Sequence, residues 1–299
     1  MSMLGELLRK IDRNINRNEY DISYLPAEKN HVNIEHSLLN NVGDHLGPVI
    51  VDWLLEQKRI DRERIVKKTK HLMTVGSIIG RGRFDCTIWG SGILKYSHKD
   101  RMVKLRKIYR RKMDIRAVRG PETRDILVSV GYDCPEIYGD PAVLMPLIYS
   151  PGNPEKEYEV SVILHHRTER TADHATDDKN FLISISNDFI EKNHLHFIDP
   201  KTGDYKFFID ELVKSKRVVS SSLHGIILAE AYGVPAVFMN WGMDDQPIKF
   251  QDWYLSTGRK MTYAKTIEEG VLREPMPLPD LSKMREALLN SFPYDLWEE

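Results

Sequence analysis

The sequence has few cysteines, no long hydrophobic run and almost no net charge, and each shortage excludes a class of protein. Two cysteines in 299 residues, Cys86 and Cys134, cannot form the disulfide framework of a small secreted scaffold, and neither belongs to a CxxC motif. No segment reaches the roughly 20 apolar residues that a membrane-spanning helix needs. The 43 lysines and arginines nearly balance the 44 acidic residues, so nucleic acid is not an expected partner.

Targeting signals and well-known nucleotide motifs are also missing. Residues 1–18 alternate Leu and Ile with Arg, Lys and Glu, which predicts an amphipathic helix without the apolar core of a signal peptide. We therefore expect a cytoplasmic protein. The sequence has no GxGxxG, no Walker P-loop and no nucleophile elbow, which disfavours dehydrogenases, ATPases and α/β hydrolases.

The basic residues that are present are concentrated in one run between Lys95 and Arg119. Either this run is a solvated helix face, or it attracts an anionic substrate or acidic lipid headgroups, so the expectation includes peripheral association with a membrane. The run contains Lys104, Arg106, Lys107, Arg110, Arg111, Lys112 and Arg116.

Short apolar runs alternate with helical patterns along the whole chain, and this alternation predicts an α/β fold with parallel sheets. A breaker cluster, Pro151-Gly152-Asn153-Pro154, divides the pattern. We predict two Rossmann-like domains, 1–150 and 156–299, facing each other across a cleft. Strands are predicted over 71–79, 86–89, 114–118, 158–164, 196–199, 217–220 and 234–239, and helices over 121–131, 179–193, 206–214 and 223–232. Ligands of such sheets bind beyond the carboxyl ends of the strands.

Two polar segments in the first half lie where helices begin. In Asn41-Val42-Gly43-Asp44, Asp44 is either the N-cap of the helix that follows or a general base facing the cleft. Arg119-Gly120-Pro121 stands between a strand and a helix. There Arg119 either binds a carboxylate or phosphate with the help of the helix N-terminus or forms a salt bridge inside the domain.

The second half offers three more candidates. Ser220-Ser221-Ser222-Leu223-His224 joins a strand to a helix, so it is either a phosphate cradle with a proton-shuttling imidazole or a structural turn. His165-His166-Arg167 follows a strand directly; without a third ligand at a definable spacing it indicates an anion pocket or a plain loop rather than a metal site. Lys249 either reaches back over the cleft or is an ordinary surface lysine.

Six short motifs, each weak alone, occur in the order seen in the polysaccharide pyruvyl transferase family, which the chain resembles from about Asn41 to Gly258. They are Asn41-x-Gly43-Asp44, Trp89-Gly90-Ser91-Gly92, Arg119-Gly120-Pro121-Glu122-Thr123, Gly139-Asp140-Pro141-Ala142, Ser221-Ser222-Leu223-His224 and Gly233-Val234-Pro235-Ala236.

The resemblance implies a GT-B-like pair of Rossmann-type domains that transfers pyruvate from phosphoenolpyruvate to a sugar, or to a lipid-linked glycan, as a ketal. The resemblance implies that Arg119 and His224, at the matching positions, hold the carboxylate and phosphate of the donor, and that Lys249 lies near the phosphate. It implies no cofactor and no metal. Many members have Arg where this chain has Ser222, so Arg167 or Arg217 would have to compensate. Asp44 would act as base, and His224 as acid or phosphate ligand, with Asn41, Ser221, Ser222, Leu223, His165 and His166 lining the site.

Two other functions fit the same architecture. A glycosyltransferase that uses a nucleotide sugar would share the two domains and a basic donor cleft. A non-catalytic glycan-binding relative would retain the fold, and Ser222 in place of Arg is the feature that favours it. The oligomeric state stays open.

Overall fold

A computed structural model describes residues 27–36, 41–82, 84–165, 168–171, 181–240 and 247–298. The amphipathic helix predicted over residues 1–18 lies outside these ranges. Within them, no helix combines the length and the apolar character needed to cross a membrane.

The first sheet contains four parallel strands in the order β1-β2-β3-β4. Its elements are β1 (Val32–Glu35), α1 (Val42–Gln57), β2 (Lys70–Met73), β3 (Cys86–Trp89), α2 (His98–Lys107), β4 (Met113–Ala117) and α3 (Pro121–Ser129). A 3-10 helix (Pro141–Leu144) and the short α4 (Met145–Ile148) lead out of this half. Helix α1 buries Leu46, Ile50 and Leu54, which recur at the four-residue spacing of one helix face.

The second sheet is also parallel, with the order β10-β9-β5-β8. Its half contains β5 (Tyr158–Ile163), β6 (Thr168–Thr171), β7 (Phe181–Ser184), α5 (Asn187–Lys192), β8 (Leu195–Phe197), α6 (Tyr205–Val213), β9 (Ser215–Ser220), α7 (Leu223–Ala231) and β10 (Ala236–Phe238). Strands β6 and β7 form a separate parallel pair. Helices α8 (Ile248–Ser256), α9 (Ile267–Leu272) and α10 (Ser282–Ser291) and a 3-10 turn (Tyr294–Trp297) complete the chain.

The α/β alternation and the parallel sheets predicted from the sequence are confirmed, but one helix prediction is wrong. The segment 179–193 was expected to be a single helix, whereas it contains β7 followed by the shorter α5. Ser186 explains where the helix begins, since its hydroxyl accepts a hydrogen bond from the N–H of Phe189 and so caps α5. Strands β1 and β6 were not predicted, and the strand predicted over 71–79 is shorter, because β2 ends at Met73.

The two sheets share packing rather than standing apart. One hydrophobic cluster contains buried side chains from both, among them Trp89 at the end of β3 and Phe208 from α6. The C-terminal segment also returns to the first sheet, where the indole N–H of Trp89 donates to the carbonyl of Leu288 in α10 at 3.0 Å. The strands do separate into two groups on either side of residues 150–156, while the division into two domains stays a prediction.

Candidate active site

His224 lies where the two halves meet. It is the second residue of α7, only 7% of its surface is exposed, and its ring packs directly on Gly43 in the first turn of α1. A Cβ on Gly43 would stand 1.8 Å from Nδ1 of His224, so only glycine permits this approach. The N-termini of α1 and α7 therefore come together at the imidazole, and both helix dipoles present their positive ends there.

The N-terminal turn of α1 is anchored to the second half. The N–H of Val42 donates to the carbonyl of Pro200, beyond β8, at 2.8 Å. Asn41 is the N-cap, although its side chain makes no capping bond, and the half-buried Asp44 lies in the first turn. The expectation that Asp44 lies at a helix N-terminus is confirmed, but the N-cap is Asn41. The Asp44 carboxylate points toward Gly76, in the loop after β2, because Oδ1 lies 4.0 Å from the position of a Cβ on that glycine.

Several buried polar atoms around these two turns lack a hydrogen-bond partner in the described part of the chain. They are Oδ1 of Asn41, Oγ1 of Thr74, Oδ2 of Asp140 and Nε2 of His224. Thr74 belongs to the group because its hydroxyl faces Gly47, one turn further along α1. Buried polar atoms are normally paired, and an unpaired set in one place is typical of a site that a ligand or ordered water completes.

The polar turn after β9 is held by its own hydroxyls. Ser220 Oγ donates to Ile163 and Ser222 carbonyls and accepts from the N–H of Ser222, while Ser221 Oγ accepts from the N–H of His165 at 2.8 Å. His165 and Ser221 are thus neighbours at the ends of adjacent parallel strands. Two of the three hydroxyls of the predicted phosphate cradle therefore fasten the strand ends. Of the cradle residues, this leaves Ser222 and Leu223 at the start of α7 beside His224, while His166 and Arg167 lie outside the described residues.

The structure places Arg119 differently from the prediction. Its guanidinium is fully buried and pairs with Asp252 of α8, Nε to Oδ2, at 3.2 Å. The other two nitrogens donate to the hydroxyl of Ser77 at 2.6 Å and the carbonyl of Ile93 at 2.8 Å. The carboxylate of Asp252 also accepts from the N–H and hydroxyl of Thr123 in the first turn of α3. An anion does occupy this helix N-terminus, but it is the chain's own.

This internal pair corrects the proposed convergence of Arg119 and His224 on one bound anion. Arg119 faces Asp252 and His224 faces Asp140, so each has a different carboxylate. Burial raises the pKa of Asp252, while Arg119 and Thr123 act in the opposite direction. Of the two outcomes considered for Arg119, the geometry favours the salt bridge, but this salt bridge joins the two halves and is not inside one domain, because Asp252 belongs to the second half.

Two other basic candidates also lie against the protein itself. Lys249, in the first turn of α8, is half-buried, with its ammonium 5.0 Å from the ring centre of Phe250. Its predicted contact with donor phosphate stays a prediction. Arg217 does not compensate for Ser222, because its guanidinium donates to the carbonyls of Val271 and Arg273 at the end of α9.

The basic run between Lys95 and Arg119 exposes fewer free positive charges than its sequence indicates, because some of its arginines are buried or paired. Arg111 is fully buried and donates to the carbonyls of Phe84 and Ile79 at 2.8 and 2.7 Å. Arg116 pairs with Asp114 and with Asp295. The exposed remainder lies mainly on α2, so a solvated helix face accounts for most of the run.

Asp140 is the functional candidate that the sequence analysis did not select. It lies at the start of the 3-10 helix, fully buried, with Oδ2 at 3.7 Å from Nε2 of His224. The signal was present in the motif Gly139-Asp140-Pro141-Ala142, but nothing local indicated that this aspartate faces a histidine 84 positions further along the sequence.

Three possible metal ligands lie close together at the amino end of the strands of the first sheet, opposite the end at which His224 lies. Ligand atoms of Glu28, His31 and Glu63 lie within 4.8 Å of one another. His31 precedes β1 and so stands at the amino end of the strands, away from His224. Both glutamates are exposed, so the triad is an ordinary surface cluster.

The arrangement around His224 can bind an anion and move protons. Two helix N-termini supply a favourable field for negative charge. The imidazole of His224, with the carboxylate of Asp140 behind it, and the carboxylate of Asp44 on the adjoining turn are side chains of the kinds that serve as general acids and bases.

Fold and site together define an α/β protein with two parallel sheets and a candidate site at His224, where the halves meet. The chain belongs to the polysaccharide pyruvyl transferase family, whose sequence profile matches residues 81–242. The residues matched include Arg119, Asp140 and His224.

The individual proteins that resemble this chain have low sequence identity with it. An uncharacterized protein of Acanthamoeba polyphaga mimivirus is 29% identical over 226 residues, which cover 72% of this chain and 70% of the viral protein. The succinoglycan biosynthesis protein ExoV of Rhizobium meliloti is 29% identical over 146 residues, which cover 48% of this chain and 41% of ExoV. A crystal structure of a functionally uncharacterized Klebsiella pneumoniae protein superposes with a TM-score of 0.46 at 14% identity, covering 85% of this chain and 94% of the other.

Proposed function

We propose that this protein transfers pyruvate from phosphoenolpyruvate to two hydroxyls of a sugar, in a polysaccharide or its precursor, and forms a cyclic ketal. The single observation that carries the proposal is the position of His224, held against Gly43 among unpaired buried polar atoms where two helix N-termini meet. Family membership and the similarity to ExoV, a protein of succinoglycan biosynthesis, support a glycan as the acceptor.

The reaction requires one acid, one base and stabilisation of negative charge. A general acid protonates the methylene carbon of phosphoenolpyruvate, and the electron pair of the C=C bond forms the new C–H bond, which leaves a cation-like centre at C2. One sugar hydroxyl attacks C2 and gives its proton to a base. The second hydroxyl then attacks C2, the bond from C2 to the phosphate oxygen breaks with both electrons on phosphate, and this hydroxyl's proton leaves with it.

We assign these roles to groups at the meeting of α1 and α7. Asp44 is the base for the attacking hydroxyl, and His224 is the acid or the ligand of the leaving phosphate. The N-termini of α1 and α7, with Asn41 and Ser222 as their N-cap residues, bind the carboxylate and phosphate of the donor. Arg119 instead keeps α3 and α8 in place through Asp252 and touches neither reactant.

The wider proposal follows from where this site lies. The first half would bind the acceptor and the second half the donor, in a GT-B-like cleft between the sheets. The acceptor is either a free glycan or a lipid-linked one, and a lipid-linked acceptor would bring the protein to a membrane surface. Catalysis uses no resident cofactor and no metal in this scheme.

A thermal-shift comparison tests the donor before any acceptor is known. We expect phosphoenolpyruvate to raise the melting temperature at concentrations where uridine and guanosine diphosphate sugars have no effect. Stabilisation by a nucleotide sugar alone would contradict the proposal and indicate a glycosyltransferase. Binding of glycans without a response to any anionic donor would indicate a non-catalytic relative.

The kinetic test uses paired variants on the two helices. We expect Asp44→Asn and His224→Gln each to lower kcat by about 100-fold to 10,000-fold, as is usual when a general acid or base is lost. Asp52→Asn is the matched control, since Asp52 lies on the same helix but pairs with Arg62. Near-normal release of phosphate by both site variants, with acceptor present, would show that the assignments are wrong.

A further inference from the structure

Asp140 combines complete burial with an unpaired carboxylate oxygen. Its Oδ1 accepts from the N–H of Ala142 at 3.1 Å and so caps the 3-10 helix, whereas Oδ2 has no hydrogen-bond partner among the described residues. A buried carboxylate oxygen without a partner is costly and needs compensation. The cationic candidate that faces it is His224, with Nε2 at 3.7 Å from Oδ2.

The backbone around Asp140 is constrained on both sides. The N–H of Gly139 donates to the carbonyl of Val118 at 3.0 Å, which continues the first sheet by one bridge. Gly139 has φ of +147°, and a Cβ there would meet Met284 of α10 at 2.7 Å. Because the chain cannot shift easily at this point, the approach of Asp140 to His224 is a property of the fold rather than of a mobile side chain.

Capping alone does not require an aspartate at this position. Serine and asparagine cap helices about as well, and each offers the one acceptor that Ala142 needs. The second oxygen adds nothing to the cap, and burying it without a hydrogen-bond partner is unfavourable. We therefore expect Oδ2 of Asp140 to have a role other than capping the 3-10 helix.

We propose that Asp140 is a positioning residue for His224, an inference that rests on the proposed function and deepens it. A carboxylate is only an acceptor, so it selects the imidazole form that carries a proton on Nε2. The other nitrogen, Nδ1, lies against Gly43 in the first turn of α1. The imidazolium form gives a proton to the reactants from Nδ1, which leaves the neutral form with its proton on Nε2, and Nδ1 takes up a proton again afterwards. The separation of 3.7 Å shortens to a hydrogen bond when the donor is bound, as catalytic contacts commonly do.

Asp140→Asn tests this assignment because the cap fixes how the new amide must point. Its oxygen has to accept from the N–H of Ala142, so the NH₂ group takes the place of Oδ2 and donates toward His224. A neutral imidazole must then offer a lone pair at Nε2 and hold its proton on Nδ1. Nitrogen-15 NMR of the labelled histidines should therefore show the Nε2–H tautomer for His224 in the wild type and the Nδ1–H tautomer in the variant.

The second measurement is of kcat and KM, and its control is another aspartate that caps a helix. We expect Asp140→Asn to lower kcat by about 100-fold while KM for phosphoenolpyruvate changes less than about threefold, as when an outer partner that orients a reactive histidine is removed. Asp140→Ser, which retains a cap acceptor, should lose kcat similarly if the asparagine variant does not fold. Asp204→Asn is the matched control, because Asp204 caps α6 through the N–H of Phe207 and lies at the exposed surface.

The outcomes separate this inference from the proposed function. An unchanged tautomer in Asp140→Asn would overturn the inference whatever the enzyme's activity. A changed tautomer with an unchanged kcat would also overturn it, because the orientation would then have no catalytic consequence. If the wild type does not transfer pyruvate at all, the proposed function fails, while the tautomer measurement still decides whether Asp140 orients His224.

Discussion

Replacing Gly43 with alanine is the most direct perturbation of the contact between the two halves. The added Cβ would lie 1.8, 2.2 and 2.6 Å from Nδ1, Cγ and Cε1 of His224. The ring would have to retreat by about 1.6 Å to reach an ordinary contact of 3.4 Å. A displacement of about 1 Å at a catalytic group can cost about 100-fold in rate, so we expect at least that loss of kcat.

The effect on stability contains two opposing contributions. Overpacking of a tight contact costs about 1–3 kcal/mol. Alanine in place of glycine returns up to about 1 kcal/mol within a helix. We therefore expect Gly43→Ala to destabilise the fold by about 0–3 kcal/mol.

A double-variant cycle with His224→Ala isolates the contact. Once the ring is absent, the alanine at position 43 has no clash, and the same substitution should become neutral or stabilising by up to about 1 kcal/mol. Urea unfolding followed by the fluorescence of the five tryptophans gives each free energy of unfolding. Gly203→Ala is the control, since a Cβ at Gly203 meets nothing within 4 Å.

Two results would refute this reasoning. If Gly43→Ala costs the same stability with and without the His224 ring, then the ring does not pack on Gly43. If the single variant keeps wild-type kcat, then the position of His224 does not limit the reaction.

Other predictions concern the interior. Cys86 and Cys134 should react with Ellman's reagent only after unfolding, because burial raises the pKa of the Cys86 thiol above its ordinary value and that of Cys134 to about 12; fast reaction of the native protein would contradict this. Asp252→Ala should lower the free energy of unfolding by about 3–5 kcal/mol, since it leaves Arg119 buried without a counter-charge, and urea unfolding will show it. Trp297→Ala should cost about 3–5 kcal/mol by the same measurement, because the indole is fully buried.

Local patterns in the sequence were sufficient for much of the fold. Short apolar runs ending in glycine or serine gave β3 and β9 within two residues, and a helix starting with Pro121 was found at its first residue. The segment 179–193 failed because two short elements of different type follow each other there. When the hydrophobic pattern is read over all fifteen residues, the separate periodicities of β7 and α5 merge and resemble one helix.

The candidate site was predictable only where its contacts are local. The order of strands and helices predicts Asp44 at a helix N-terminus and places His165 and Ser221 each just beyond or at a strand end. The partners of Arg119 and His224 do not follow from that order, since Asp252 lies 133 positions from Arg119 and 44 acidic residues compete for such a role. Local sequence shows where a helix N-terminus favours a negatively charged group. Tertiary packing decides whether a carboxylate of the protein or a bound ligand provides that group.

The two strand-to-helix junctions that contain Arg119 and His224 show this difference physically. At the first, Asp252 neutralises Arg119, caps α3 and is itself fully buried and fully bonded, so a bound anion would have to displace a carboxylate that is already in place. At the second, the side chain of the N-cap residue Ser222 makes no capping bond, so a ligand could bind this helix N-terminus without displacing that side chain. We therefore expect an anionic donor to bind more favourably at α7 than at α3, which supports placing the proposed reaction at His224.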